Sequence, residues 1–318
     1  DNVLTFTDVS GKLMALKPDV TLSIVKNTRD LDVVQKLYYH ENVYRVVNHG
    51  FKEIMQLGLE CLGPIDSYCI SEVLTLAAES LRRISGDAVL DVSHLGILSA
   101  TMAAIGIPDD LRDKAMHYIG EKNLHDLTAL CVGCGIAEDK IDTLRRLASM
   151  KATLSTGLYQ ELTELLSGYV DGQVLRQFVD VLSALENTDV ASLLRIDFSV
   201  VDDIHYYNGF VFKGFVNGLP GRVLSGGQYD KLMKKMKRTD RAIGFAVYTD
   251  MLERLEQPTQ AYDVDVLLLY GENIGIVQIQ EQIKLLTASG KSVMAQQSVP
   301  ANVRYKEILT IGEVENDA

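Results

Sequence analysis

The longest apolar runs of this 318-residue chain, such as Val266-Leu267-Leu268-Leu269, fall far short of the ~18 or more residues a membrane span needs. No basic segment followed by an apolar one opens the chain, so nothing points to export and a cytoplasmic protein is expected. There are only four cysteines, which without a secretory signal do not make a disulfide framework in a chain this long. Cations are also in deficit. Lys and Arg total 31 against 43 Asp and Glu, a net charge of −12. Nucleic-acid binding draws on Lys and Arg to displace counterions, so this balance disfavours it unless the cations are concentrated. The one evident cluster is Lys231, Lys234, Lys235, Lys237, Arg238 and Arg241, whose spacing suits the solvated face of a short helix and the loop after it. What is present is apolar material, 47% of residues, with 23% charged. That composition buries a core and excludes disordered and collagen-like chains. The length suggests about two domains.

Strand and helix signals alternate in the first part of the chain. A helix-like run from Val20 to Lys26 follows Lys17-Pro18-Asp19. Leu37-Tyr38-Tyr39 and Ile54 to Cys61 read as strands around a turn at Val46 to Gly50. A helix is expected from Ser71 to about Ile84. Helical periodicity then dominates residues 96–190, with segments at Leu95–Ile105, Pro108–Ile119, Leu124–Cys131, Asp139–Met150, Leu154–Leu166 and Val174–Asn187. Strand propensity returns at Arg195–Val200, Tyr206–Phe215 and Arg222–Gly227, with a turn at Gly218-Leu219-Pro220-Gly221. Ala242–Val247 opens a strand-to-helix passage ending near Leu255. Glu256–Gln260 reads as a linker, followed by a βαβ pattern at Val264–Tyr270, Ile276–Ser289 and Ser292–Ala295, with one more strand near Ile308–Gly312. These signals give an α+β core over residues 1–255 with a helical insertion, then a small α/β domain over 261–318.

Taken alone, the polar motifs point to no chemistry. Cys131-Val132-Gly133-Cys134 has CxxC spacing, but no second pair accompanies it and core packing is the simpler reading, so no metal site is expected. Gly226-Gly227 fits a turn. Asp202-Asp203 before His205-Tyr206-Tyr207 could line a polar pocket or merely enter a strand.

Five segments in order resemble the catalytic core of histidyl-tRNA synthetase, with a class II antiparallel sheet. Leu16-Lys17-Pro18-Asp19-Val20-Thr21 looks like its Arg-Pro-Glu-x-Thr segment. Asn42-Val43-Tyr44-Arg45 with Met55-Gln56-Leu57-Gly58-Leu59-Glu60 looks like motif 2. Ile204 to Phe212 resembles the histidine-specific Leu-Asp-Tyr-Tyr-x-x-x-Val-Phe strand. Gly226-Gly227-Gln228-Tyr229-Asp230 resembles Gly-Gly-Arg-Tyr-Asp, and Ile243-Gly244-Phe245-Ala246 the opening of motif 3. By this resemblance Asp19 and Gln56 meet the α-amino group of histidine, Glu60 and Tyr207 address the imidazole, Tyr206 walls the site, and Arg45 is the retained motif 2 arginine.

The departures bear on catalysis. Holding ATP phosphates against an amino-acid carboxylate needs cations. The resemblance places three of the family's arginines at Asp202, Met251 and Gln228, so the adenylation positions are read as lost; a three-residue slip would put Arg254 in place of Met251. The last 58 or so residues are too few for a whole anticodon-binding domain, and no tRNA partner is expected. This combination resembles the regulatory subunits of ATP phosphoribosyltransferase (HisZ). The resemblance implies a non-catalytic subunit that dimerises through its core and activates a short-form catalytic subunit in a hetero-octamer. It also implies transmission of histidine feedback, with no cofactor of its own. An active synthetase or a stand-alone histidine-binding paralogue are the other classes.

Overall fold

The computed structural model describes residues 3–47, 50–201, 206–255 and 261–312. Two units are compact in themselves, residues 1–255 and 256–318. The expected linker at Glu256–Gln260, and Asp202, Asp203 and His205, lie outside the described residues, as do Asn48 and His49 of the expected turn.

The first unit opens with a small hairpin, β1 (Thr5–Thr7) and β2 (Leu13–Ala15), followed by helix α1 (Thr21–Asn27). Two long strands follow, β3 (Gln35–Val47) and β4 (Gly50–Gly63), then α2 (Ser67–Ile84) and β5 (Ala88–His94). Helices α3 (Leu95–Ile105), α4 (Asp109–Gly120), α5 (Leu124–Gly133) and α6 (Glu138–Ser149) come next. A three-residue strand β6 (Lys151–Thr153) separates these from α7 (Thr156–Leu166) and α8 (Gly172–Glu186). Strands β7 (Leu194–Asp197), β8 (Phe210–Val216) and β9 (Arg222–Gln228), helix α9 (Asp230–Lys235) and strand β10 (Arg241–Tyr248) complete the unit.

These strands form one eight-stranded sheet in the order β3-β4-β10-β9-β8-β5-β7-β6. Its pairings are antiparallel except β5 with β7. The exception follows from connectivity, because the helical stretch between those strands is a crossover long enough to return the chain in the same direction. Helix α2 covers one sheet face. Cys69, Ile70, Val73, Leu74, Ala77, Ala78 and Leu81 recur at three- and four-residue spacing and are buried. The helix starts four residues before the expected Ser71, because Asp66 caps it by accepting from the Cys69 N–H at 2.8 Å.

Several expected boundaries move for identifiable reasons. The strand expected at Arg195–Val200 stops at Asp197, whose carboxylate accepts from the Ser199 N–H at 2.9 Å and turns the chain. The strand expected from Tyr206 begins only at Phe210, where pairing with His94 starts, so both tyrosines stand in the approach to it. The passage after Ala242–Val247 ends in a 3-10 turn, Leu252–Arg254, rather than a helix. Strand β5, a central strand, was not anticipated. Its alternation of Val89, Asp91 and Ser93 with Leu90 and Val92 carries the signal, but Asp91 and Ser93 are themselves buried.

The second unit is a three-stranded parallel sheet, β12-β11-β13, made of β11 (Val264–Tyr270), β12 (Val293–Gln296) and β13 (Tyr305–Ile311), with α10 (Ile276–Ala288) between the first two.

Candidate functional site

Strand β4 carries Gln56, Gly58 and Glu60 at alternate positions, which puts all three on one sheet face. Across from them lie Tyr248, Ala246 and Gly244 of β10, and on the other side Tyr39 of β3 pairs with Gly58. Two glycines make the space. A Cβ at Gly58 would fall 2.3 Å from the Tyr39 ring, and one at Gly244 would fall 1.8 Å from the Glu60 carboxylate. The resulting pocket, about 170 Å³, is lined by all six residues expected to bind histidine: Asp19, Arg45, Gln56, Glu60, Tyr206 and Tyr207.

Glu60 is the electrostatic centre. It is buried, and each of its oxygens accepts one hydrogen bond, from Thr21 Oγ1 at 2.5 Å and from Tyr229 Oη at 2.7 Å. No cation pairs with it among its described partners. Burial therefore dominates and pushes its carboxyl up to about 7, with the nearby Asp19 charge adding to the rise. Burial also raises the phenols of Tyr39, Tyr206 and Tyr229, so they stay neutral hydrogen-bonding groups. Tyr206 packs edge-on to Tyr207 with centroids 4.6 Å apart, and lies 5.6 Å from Tyr229.

At the other end are two guanidiniums. Arg45 lies 5.7 Å and Arg222 6.0 Å from the centre of the Tyr248 ring, whose hydroxyl is 2.8 Å from Ser225 Oγ. Asp19 already accepts from the Leu22 N–H at 2.7 Å, capping α1, with its second oxygen outside that bond. Gln56 is buried and its Nε2 has no partner among the described residues. An unpartnered amide donor calls for an acceptor such as a carboxylate, so a contact with an ammonium, as expected for Gln56, would have to use its Oε1 instead. With carboxylates at one end, guanidiniums at the other and phenols between, the pocket complements a small zwitterion that carries a hydrogen-bonding ring.

The positions read as lost arginines behave differently from the pocket residues. Gln228 is buried in the sheet, where its Oε1 accepts from the Phe210 N–H at 2.8 Å, and it does not line the pocket. Met251 lies near Gly221, where an added Cβ would meet its methyl at 3.0 Å; neither it nor Arg254 lines the pocket. Of the expected basic cluster, Arg238 donates to the carbonyls of Val25 and Thr28 at 2.9 Å, and Arg241 to that of Ile65 at 2.9 Å, so both brace the fold. Cys131 is packed in the core, and no cluster of His, Cys, Asp or Glu among the described residues could hold a metal ion.

Sequence reasoning missed Thr21, Tyr39, Arg222, Tyr229 and Tyr248. Three carried a signal. Thr21 ends the segment resembling Arg-Pro-Glu-x-Thr, Tyr229 sits inside Gly226-Gly227-Gln228-Tyr229-Asp230, and Tyr248 stands where the motif 3 pattern Gly-Phe-Ala-x-Gly, matched by Gly244-Phe245-Ala246-Val247, has its second glycine.

The profile of the histidyl-tRNA synthetase family matches residues 1–252. An ATP phosphoribosyltransferase regulatory subunit of Desulfitobacterium hafniense is 25% identical over 298 residues, covering 92% of this chain and 76% of its own. A crystal structure of an ATP phosphoribosyltransferase regulatory subunit/histidyl-tRNA synthetase from Bacillus halodurans superposes with a TM-score of 0.71 at 23% identity, over 97% of this chain and 82% of that one. A chain of the ATP phosphoribosyl transferase (HisG:HisZ) complex from Thermotoga maritima gives 0.61 at 21% identity, over 77% and 84%.

Proposed function

From the premise that this chain belongs to the histidyl-tRNA synthetase family, we propose that it serves as a regulatory, non-catalytic subunit of ATP phosphoribosyltransferase, with L-histidine as its effector. One observation carries the reading. The residues suited to histidine line one cavity, whereas the two described positions that would supply phosphate-binding cations, 228 and 251, do not contribute to it. Gln228 is spent on the sheet and Met251 is apolar. The two guanidiniums that remain both lie against Tyr248, a bulky phenol at a glycine position of the motif. The names of the relatives support the same reading.

In this reading the histidine carboxylate is held by Arg45, Arg222 and the free amide of Gln56. The ammonium lies beside Asp19, and the imidazole meets Glu60 alongside the packed Tyr206 and Tyr207 pair. Glu60, whose protonated form burial favours, accepts from an imidazole N–H once it gives up that proton. The partner is a short-form catalytic subunit, which performs the chemistry in a hetero-octamer, and this chain pairs with itself through the synthetase-like core. The small second unit is an anticodon-binding-like α/β domain, and tRNA is not a partner. Feedback requires that histidine bind one state of the complex better than another.

The test is phosphoribosyl-ATP formation by a short-form catalytic subunit, alone, with this chain, and with this chain plus histidine. Activity that appears with the chain and falls with histidine is expected. Unchanged activity, together with histidine-dependent ATP–pyrophosphate exchange, would instead establish a synthetase.

A further inference from the structure

The sheet face that carries the pocket continues to the opposite edge of the sheet. Directly paired residues share a face, and the row runs from Ala246 through Ser225, Lys213 and Asp91 to Arg195. Ser225 lines the candidate site; the last three line a separate cleft of about 410 Å³, together with Lys122, Lys151 and Asp197. In a chain with a net charge of −12, four cations gather here around two carboxylates.

The carboxylates are engaged in different ways. Arg195 grips Asp91 with two bonds, at 2.6 and 2.9 Å. Asp197 is buried, and its Oδ1 accepts from Ser199. Its Oδ2 alone serves two ammoniums, Lys122 at 3.3 Å and Lys151 at 3.4 Å. Both distances exceed the ~2.7–2.9 Å of a committed charge-assisted bond. Two positive charges thus share one oxygen, loosely, at the mouth of a cleft.

Lys122 adds a second observation. It follows α4 at the position where a helix turns into the left-handed region, with φ of 57°. The Asn123 N–H bonds to the Tyr118 carbonyl at 2.8 Å and the Lys122 N–H to the Ile119 carbonyl at 3.0 Å, the pairing that terminates helices at a glycine. A lysine there is less favourable than a glycine. What the lysine brings in exchange is an ammonium in the cleft.

We propose that this cleft binds the phosphate group of a small ligand between Lys122 and Lys151, on the same sheet face as the candidate site but separate from it. An entering oxyanion accepts from both ammoniums, while Asp197 keeps its bonds to Ser199 and Arg195 stays on Asp91. The inference does not depend on the regulatory reading.

Isothermal titration of the full chain with inorganic phosphate, pyrophosphate and glycerol 2-phosphate, at constant ionic strength in chloride, tests it. Saturable binding of at least one probe is expected, about tenfold weaker or worse in Lys122→Gln/Lys151→Gln, which is ~1.4 kcal/mol. The distant pair Lys26→Gln/Lys234→Gln should leave it unchanged. Binding of the organic ester alone would assign a phosphomonoester, and binding of all three a free oxyanion; either supports the site. If the double variant fails to fold, Lys122→Gly removes one ammonium while relieving the left-handed backbone, so it should be no less stable and still bind more weakly. No saturable binding of any probe, or equal affinity in the lysine variants, would overturn the proposal.

Discussion

The two ends of one sheet face hold buried carboxylates with opposite fates. Glu60 at the pocket end meets two hydroxyl donors and, among the described residues, no cation, and burial pushes it up to about 7. Asp197 at the cleft end feels burial too, yet Ser199 and Lys122 outweigh it and hold the carboxyl below its ordinary value. Asp91 beside it is gripped by a guanidinium. Burial alone therefore does not decide ionisation; the hydrogen bonds a carboxylate accepts, together with any cation beside it, offset burial at one end and not at the other. The cleft end is satisfied internally, apart from its loosely held ammoniums. The pocket end leaves an uncompensated carboxylate and an orphan amide, which is what a binding site for a polar molecule requires.

The largest expected effect comes from making the cleft end resemble the pocket end. Arg195→Met strands the buried Asp91 without its cation, and such a break costs about 3–5 kcal/mol. Urea denaturation at neutral pH should show that loss, and adding Asp91→Leu should recover most of it. If the single variant is as stable as the parent, the pair is not a buried ion pair in any useful sense.

Next in size is the effect on ligand. Glu60→Gln keeps the shape of the pocket and removes the charge, so histidine titrated calorimetrically should bind roughly 100-fold more weakly, about 2.7 kcal/mol. The same substitution exposes a compensation in the folded state. Glu60 holds its proton more tightly folded than unfolded, so its contribution is complete below about pH 4.5 and disappears as pH rises to about 7. His94 does the reverse. It is buried, its Nδ1 accepts from the Ile97 N–H at 3.1 Å, and burial lowers it from 6.5 to about 4. Its contribution is complete above about pH 6.5 and is lost as pH falls toward 4. Each shift corresponds to about 3 kcal/mol. The two nearly cancel between pH 4.5 and 6.5, so the parent should show a flat stability there. Glu60→Gln should decline steadily as pH falls through that window, and a flat profile in the variant would remove His94 from the account.

How much of this was readable without coordinates follows the same division. The helical stretch from Leu95 onward was legible because apolar residues at three- and four-residue spacing need no partner to be recognised. The strand that carries Gln56 and Glu60 was legible from its pattern, whereas the two residues themselves were singled out only by the family resemblance. What faces them was not legible. Tyr39, Arg222 and Tyr248 reach the pocket through the register of β3, β9 and β10, which is fixed by distant pairing. The cleft was invisible for the same reason: Lys122, Lys151, Arg195 and Lys213 come from four separate segments. Residue similarity to a family placed Tyr206 and Tyr207 at the site, although pattern reasoning had put them inside a strand they only approach.

The smallest effect sharpens the contrast. Tyr229→Phe removes the donor 2.7 Å from Glu60 and leaves one lone hydroxyl, that of Thr21, holding the carboxylate. A hydrogen bond to a charged group contributes ~1.5–3 kcal/mol, and one to a neutral group ~1 kcal/mol. Because Glu60 is neutral below its folded value and charged above it, the variant should lose only about 1 kcal/mol near pH 5 and more near pH 8. The difference between the two pH values, read from paired denaturation curves, measures how far the phenol restrains the carboxyl from rising further. An identical loss at both would mean that Tyr229 supports Glu60 only by packing and has no part in offsetting the rise that burial imposes on the carboxyl.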